Sequence, residues 1–201
     1  MIVIKKKRAI AMSQNDLKII VVGPSRSGKT ELVDLVSGAR ESFSGQTTPT
    51  VGLRIQEFQS TINVSDLQRT VAVFLWDTSG NEKYSSCWPA IAKDADGALL
   101  VYNAFDKPQA QAVEKYAREL CKDLTDQQVL LVANKIGQSE NKPVRGKVPK
   151  HLEKARIVAT DIKESIETFN EQLNTFLGQC AYKKQKDQEA AEKRLVGESA
   201  E

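Results

Sequence analysis

The sequence predicts an α/β fold, a mainly parallel sheet covered by helices on both faces, and three observations lead there. Short apolar runs rich in β-branched residues recur along the chain, segments with helical spacing of apolar residues separate them, and the first run ends at a glycine-bounded loop. A chain of 201 residues fits one such domain with a modest tail, because a single-core domain usually holds about 100–200 residues.

Taken in order, the chain opens with residues 1–15, which carry the basic cluster Lys5-Lys6-Lys7-Arg8 and no apolar run long enough for a signal peptide or a membrane span. With Met12 just ahead of the first regular element, this leader reads either as an upstream start or as a disordered arm. The domain itself is expected over 16–182. Leu17 to Val22 is a buried strand that stops at Gly23, and a helix follows from Lys29 to about Gly38, with Leu32, Val33, Leu35 and Val36 on its apolar face. Ala39 to Pro49 is a polar loop. Gly52 to Gln59 and Arg69 to Trp76 alternate as strands, joined by a polar turn around Asn63 to Asp66.

Gly97 to Tyr102 and Val129 to Ala133 are buried strands, and Ala112, Val113, Tyr116, Ala117 and Leu120 mark a helix between them. Gly137 to Lys150, polar and holding Pro and Gly, is a surface loop longer than the usual strand-to-helix connection. A short run, Ala155 to Ala159, precedes a long helix with the stripe Ile162, Ile166, Phe169, Leu173, Phe176, Leu177 and Cys180. Residues 183–201 are charged and read as a solvated helix extension or a disordered tail.

Composition narrows the function classes. Hydrophobic residues at 40% and charged residues at 27% are ordinary for a soluble protein, and a net charge of +3 is too small to argue for a nucleic-acid partner. Cys87, Cys121 and Cys180 lie far apart, without C-x-x-C or zinc-ligand spacing, so a reducing, cytoplasmic setting is expected. The last residues, Val196 to Glu201, hold no cysteine for a prenyl group, so no direct membrane anchor is expected there. His151, the one histidine, lies by the long loop and receives no catalytic role.

Chemistry concentrates after the first strand. Gly23-Pro24-Ser25-Arg26-Ser27-Gly28-Lys29-Thr30 matches G-x-x-x-x-G-K-[ST] in full, between a predicted strand and a predicted helix. Such a loop turns successive backbone N–H groups toward the phosphates of a nucleoside triphosphate. Lys29 adds a cation, Thr30 a hydroxyl for magnesium, and Ser25, Arg26, Ser27, Gly28 and Glu31 border the same phosphates. Arg26, bulky where a small residue is common, either reaches the phosphates or points to solvent. Asp77, delivered by an apolar strand to its C-terminal edge, would hold the metal through water.

Further motifs carry a family resemblance over about residues 17 to 180. Asp77-Thr78-Ser79-Gly80 resembles the D-x-x-G switch of the Ras and Rab small GTPases, where the glycine N–H senses the γ-phosphate. Thr47-Thr48-Pro49-Thr50-Val51-Gly52 is similar to the first switch, with Thr50 matching the threonine that closes over magnesium, and Asn134-Lys135 resembles the base-reading N-K-x-D. The block Ser86 to Gly97 and the string Val101-Tyr102-Asn103-Ala104 resemble the Rab-like five subfamily, the small GTPase-like subunit of intraflagellar transport complex B. That resemblance implies a P-loop NTPase fold of the small-GTPase kind, with a central, mostly parallel six-stranded sheet. It also implies GTP or GDP with Mg2+, metal ligation by Thr30, Thr50 and Asp77, and residence in the cytoplasm, at the cilium or flagellum and at its base. The implied partners are coiled-coil subunits of the transport complex, with a monomer outside it.

Two positions depart from the family. Asn81 stands where a glutamine usually orients the attacking water, which makes it at most a slow catalyst's residue. Gly137 stands where N-K-x-D has its guanine-reading aspartate, which weakens guanine preference; Glu140 or Asp161 is a candidate replacement, and Thr160 and Asp161 help to frame a purine. Three functions compete: a nucleotide-dependent interaction module with weak or absent hydrolysis, a constitutive structural subunit holding nucleotide as a folding cofactor, and a trafficking GTPase outside the cilium. A phosphoryl-transferring kinase is disfavoured by the D-x-x-G and by the lack of an arginine-rich lid.

Overall fold

A computed structural model of the protein describes residues 13, 15–43, 48–65, 67–136, 142–161 and 166–198. The strands are β1 (Leu17–Val22), β2 (Leu53–Val64), β3 (Leu67–Thr78), β4 (Gly97–Asn103), β5 (Val129–Asn134) and β6 (Arg156–Thr160). They form one sheet in the order β2-β3-β1-β4-β5-β6, antiparallel only between β2 and β3. Every residue of β1 and β5 is buried, as unbroken apolar runs in a sheet covered on both faces require.

The helices α1 (Lys29–Val36), α2 (Trp88–Ala92), α3 (Lys107–Leu120) and α4 (Ile166–Glu198) divide between those faces. Leu32 and Val33 of α1 and Phe169, Leu173, Phe176 and Leu177 of α4 pack on Leu17, Ile19 and Val21. Trp88 and Ile91 of α2 and Val113, Tyr116, Ala117 and Leu120 of α3 pack on Ile20, Val22, Leu100 and Tyr102. Alternate residues of one strand thus feed two cores. Asp106 starts α3 by accepting the Gln109 N–H at 3.0 Å, with Pro108 in the first turn.

The hairpin of β2 and β3 is longer than its sequence suggests. The strands run to Val64 and resume at Leu67 instead of ending near Gln59 and starting near Arg69; Asp66, in the expected turn, lies outside the described residues. The cause is tertiary. Ser60, Ile62 and Val64 alternate onto α4, where the Ser60 hydroxyl donates to Asn174 at 2.8 Å, and their burial holds otherwise polar strand ends in register.

Gly178 of α4 permits that contact, because a Cβ there would lie 2.6 Å from the Asn63 carbonyl oxygen. Gly178→Ala should therefore lower Tm, whereas relief of helix propensity alone would raise stability by about 1 kcal/mol. A thermal melt decides between these signs, and an increase in Tm would contradict the close approach.

Of the two readings of the charged C-terminal segment, the helix extension is the one present through Glu198. α4 passes residue 183 without a break and continues to Glu198, a length of roughly 50 Å at 1.5 Å per residue. Lys184 donates to the Asp16 carbonyl at 2.6 Å and to the Asp96 carboxylate at 3.0 Å. Residues 199–201, the leader through Met12, and Ile162 of the expected stripe lie outside the described residues.

Between β5 and β6 residues 142–149 form no regular element and are pinned by backbone donors. Val144 N–H bonds the Ala104 carbonyl, Lys147 N–H the Ala110 carbonyl and Gly146 N–H the Tyr102 hydroxyl, each at 2.8 Å. Among the described residues this mostly exposed connection carries only the 3-10 turn Lys150–Leu152, where a parallel crossover usually carries an α-helix.

Candidate nucleotide-binding site

At the carboxyl end of β1 the loop Gly23–Thr30 bends under conditions that only particular residues meet. Gly23 has φ +142°, and a Cβ on it would lie 2.0 Å from the Val101 carbonyl oxygen, inside the neighbouring strand. Gly28 caps α1 in the left-handed region at φ 85°. Arg26 also has positive φ, 62°, and its side chain is exposed and lines the cavity described below.

Lys29 lies under the loop, buried, with Nζ donating to the carbonyls of Gly23 at 3.0 Å and Pro24 at 2.7 Å. Burial pulls its ammonium down to about 8, opposed by the nearby Asp77 carboxylate. Ser27 is buried beside it, Ser25 is exposed, and both line the cavity described below. Glu31, on the first turn of α1, pairs through its side chain with Arg40 at 3.4 Å, so its backbone is what it can offer a phosphate.

Next to the loop, three oxygen-bearing side chains converge, from α1, from the segment before β2 and from β3. The Thr30 and Thr50 hydroxyls lie 2.8 Å apart, and Asp77 Oδ2 accepts from them at 2.9 Å and 3.3 Å. Asp77 is wholly buried, and its second carboxylate oxygen, Oδ1, has no hydrogen-bond partner. Burial pushes this carboxyl up, opposed by the Arg54 guanidinium, the Thr30 hydroxyl, the Lys29 ammonium and the Thr50 hydroxyl. Two hydroxyls and a carboxylate with an orphaned oxygen are a hard donor set suited to magnesium, so the residues present fit that ion.

Gly80 meets the loop from the other side. A Cβ on it would be 2.4 Å from the Ser25 nitrogen and 2.5 Å from the Pro24 carbonyl carbon, and its own carbonyl accepts from the Tyr116 hydroxyl at 2.9 Å. Tyr116 in turn stacks obliquely on Trp88, ring centres 5.1 Å apart. Ser25 to Thr30, Thr48 to Val51, Thr78 to Asn81, Lys83 and Tyr84 enclose a cavity of about 540 Å³. That volume is ample for a nucleotide's phosphate end. Asn81 is at its rim, with its side chain accepting the Lys83 N–H at 3.0 Å to cap the short 3-10 turn Glu82–Cys87.

The remaining expected residues gather at the ends of β5 and β6. Asn134 and Thr160 are register partners there; Asn134 Nδ2 donates to the Ser27 carbonyl at 3.1 Å, while Asn134 Oδ1 and the Thr160 hydroxyl are buried without partners. The Lys135 side chain is exposed, its N–H bonding the Thr160 carbonyl at 2.8 Å, and Asp161 follows, half-buried. Thr47, Gly137 and Glu140 lie outside the described residues.

Sequence reasoning missed Arg54 and Tyr116. Arg54 pairs directly across the hairpin with Asp77, its NH2 3.2 Å from Oδ2, and bonds Asp34 at 2.6 Å. A signal existed: Arg54 precedes the hairpin turn by as many residues as Asp77 follows it. Nothing comparable pointed to Tyr116, one of several apolar-face residues of α3.

The family signature described as Ras family matches residues 18–190. The chain belongs to the Ras family. Within it, this domain is 30% identical over 183 residues to a relative from Danio rerio named intraflagellar transport protein 22 homolog, a match covering 90% of this chain and 98% of the relative. Solved structures agree. The GDP-bound crystal structure of T. brucei IFT22 has a TM-score of 0.62 at 26% identity, covering 82% of this chain and 95% of that one. The GTP-bound T. brucei IFT22/74/81 crystal structure gives 0.61 at 25% identity, covering 80% and 94%. The six-stranded, mostly parallel sheet with helices on both faces is thus the small-GTPase fold expected from the motifs.

Proposed function

We propose that this chain is a guanine-nucleotide-binding, GTPase-like subunit of the intraflagellar transport machinery that works as a nucleotide-dependent interaction module at the cilium or flagellum and its base. The convergence of Thr30, Thr50 and Asp77 beside the phosphate loop carries the reading, since it joins the loop, the first switch and the third strand at one point. Lys29 and the loop N–H groups would bind the β- and γ-phosphates, and Thr30, Thr50 and Asp77 would hold magnesium, which would supply charge neutralisation to a bound triphosphate. Thr50 and Gly80, ordered by the γ-phosphate, present the switch surface to a partner.

That partner is a coiled-coil pair of the transport complex, in line with the IFT22/74/81 assembly of the T. brucei relative, and the free chain is a monomer. Extraction of the nucleotide that co-purifies with the protein, followed by titration with GTP, GDP and ATP, tests the reading. Recovery of no nucleotide and no affinity for any of the three would reject it.

Hydrolysis is proposed to be slow. The Asn81 side chain is engaged in its cap and is a methylene shorter than glutamine, and about an ångström of misplacement can cost a hundredfold in rate. Asn81→Gln is expected to raise single-turnover hydrolysis about tenfold or more, while Asn81→Ala leaves it low. Fast wild-type turnover that persists in Asn81→Ala would refute this assignment.

The same engagement of Asn81 favours one other reading, a constitutive subunit in which nucleotide stabilises the fold. Equal partner affinity with GDP, a non-hydrolysable GTP analogue and no nucleotide would select it.

A further inference from the structure

The peptide joining Gly80 to Asn81 is held at both ends. Its carbonyl accepts the Tyr116 hydroxyl at 2.9 Å and its N–H donates to the Ser79 hydroxyl oxygen at 3.3 Å, so a rigid plane that begins at glycine, the residue freest to rotate, has a fixed orientation. One residue earlier the Ser79 N–H donates to the Gly52 carbonyl at 2.8 Å. Gly80 also packs so closely on Pro24 and Ser25 that a Cβ has no room, and Thr78 to Asn81 line the cavity beside the loop.

Tyr116 reaches this peptide from the core. Its ring and that of Trp88 are each 2% exposed, with centres 5.1 Å apart, and phenylalanine would fill the same space. What tyrosine adds is the donor to Gly80. Burial, together with the Glu82 and Glu119 carboxylates, pushes this hydroxyl up to about 12, so it keeps its proton at neutral pH. The neighbouring link from α3, Lys115 to Glu82 at 2.7 Å, is exposed at both ends and contributes little.

A loop that must order itself around a ligand loses affinity to the entropy of ordering, and a segment fixed beforehand does not. We propose that Tyr116 is a positioning residue whose hydroxyl holds Gly80 against the phosphate loop before nucleotide arrives, and that it thereby sets the preference for a triphosphate over a diphosphate. A γ-phosphate would meet Gly80 already in place, while a diphosphate does not extend to it. This rests on the nucleotide-binding reading above and goes beyond it by naming a residue outside the cavity that tunes which nucleotide is held.

The test is a titration of the full chain with a fluorescent, non-hydrolysable GTP analogue and, by competition, with GDP, for wild type, Tyr116→Phe and Tyr102→Phe. Tyr102 is the matched control, a buried tyrosine that does not line the cavity and whose hydroxyl accepts the Gly146 N–H at 2.8 Å. Loss of one uncharged hydrogen bond should weaken the analogue about fivefold in Tyr116→Phe and GDP by less than about twofold, with Tyr102→Phe unchanged to within about twofold for both. A thermal melt reports folding of each variant.

Hydrogen exchange of the wild-type chain gives a readout that needs no variant: without nucleotide, the amides of residues 79–81 should exchange at least about tenfold more slowly than in an unstructured chain. Rapid exchange there would overturn the proposal. So would an unchanged ratio of analogue to GDP affinity in folded Tyr116→Phe, or an equal change in Tyr102→Phe, and either result leaves nucleotide binding intact. Absence of binding of both nucleotides to wild type would instead overturn the nucleotide reading and this one with it.

Discussion

Lys29→Met is expected to weaken GTP binding by at least about a hundredfold and GDP binding by at least about tenfold. Charge-assisted contacts contribute about 1.5–3 kcal/mol each, and in the proposed binding mode Lys29 would make two to GTP, at the β- and γ-phosphates, and one to GDP. The same substitution should leave the ligand-free domain folded and should raise its Tm near neutral pH. The reason is electrostatic.

In the folded chain burial pulls the Lys29 ammonium from its ordinary 10.5 to about 8, so below pH 8 the protein carries a charge it would rather lose. A gap of that size corresponds to about 3 kcal/mol, partly offset by the bonds to the Gly23 and Pro24 carbonyls. The unfolded chain binds the proton more tightly, so this contribution makes stability rise as pH climbs from about 8 to 10.5, and the rise should be absent in Lys29→Met. Phosphate binding reverses the shift and should take up protons above pH 8, read by calorimetry in buffers of different ionisation enthalpy. Nucleotide affinity within threefold of wild type would remove Lys29 from the site.

Gly23→Ala should be the most damaging single methyl group among the glycines of the described residues. Its Cβ would lie 2.0 Å from the Val101 carbonyl oxygen, on a backbone at φ +142° where an L residue is strained wherever it finds room. Neither β1 nor β4 can yield, because both are buried in the centre of the sheet. A loss of at least about 3 kcal/mol follows, seen as a fall in Tm of roughly 6–12 °C or as insoluble expression.

Gly38→Ala is the matched control. Gly38 also has positive φ, +69°, but a Cβ there meets nothing within 4 Å, so the cost is only about 1 kcal/mol. Equal losses in the two variants would show that φ alone, and not the approach to Val101, governs Gly23.

Much of the site was legible because its parts are local. The string Gly23 to Thr30 needs only a strand before it and a helix after it, and both are encoded by short apolar patterns that tertiary contacts reinforce. Asp77 at the end of an apolar run was legible for the same reason. The hairpin ends were not, since Ser60 and Asn63 look like turn residues until α4 arrives to bury one face of β2. Neither was the fate of residues 183–198, where charge and amide residues are compatible with a helix or with none, and Lys184 finds Asp96 only once the sheet has formed.

The sequence by itself therefore determined the order of elements, the α/β class, the loop Gly23 to Thr30 and an aspartate near the end of the third strand. Tertiary structure alone decided which distant groups meet. Asn134 reaches Ser27 across 107 positions, Tyr116 holds the Gly80 carbonyl across 36, and Arg54 is set on Asp77 rather than on solvent. Periodicity encodes which face a side chain takes, but a hydrogen bond between faces of different elements depends on register and crossing geometry. Those are settled when the two cores close on the sheet, and with them the cation that sits beside Asp77.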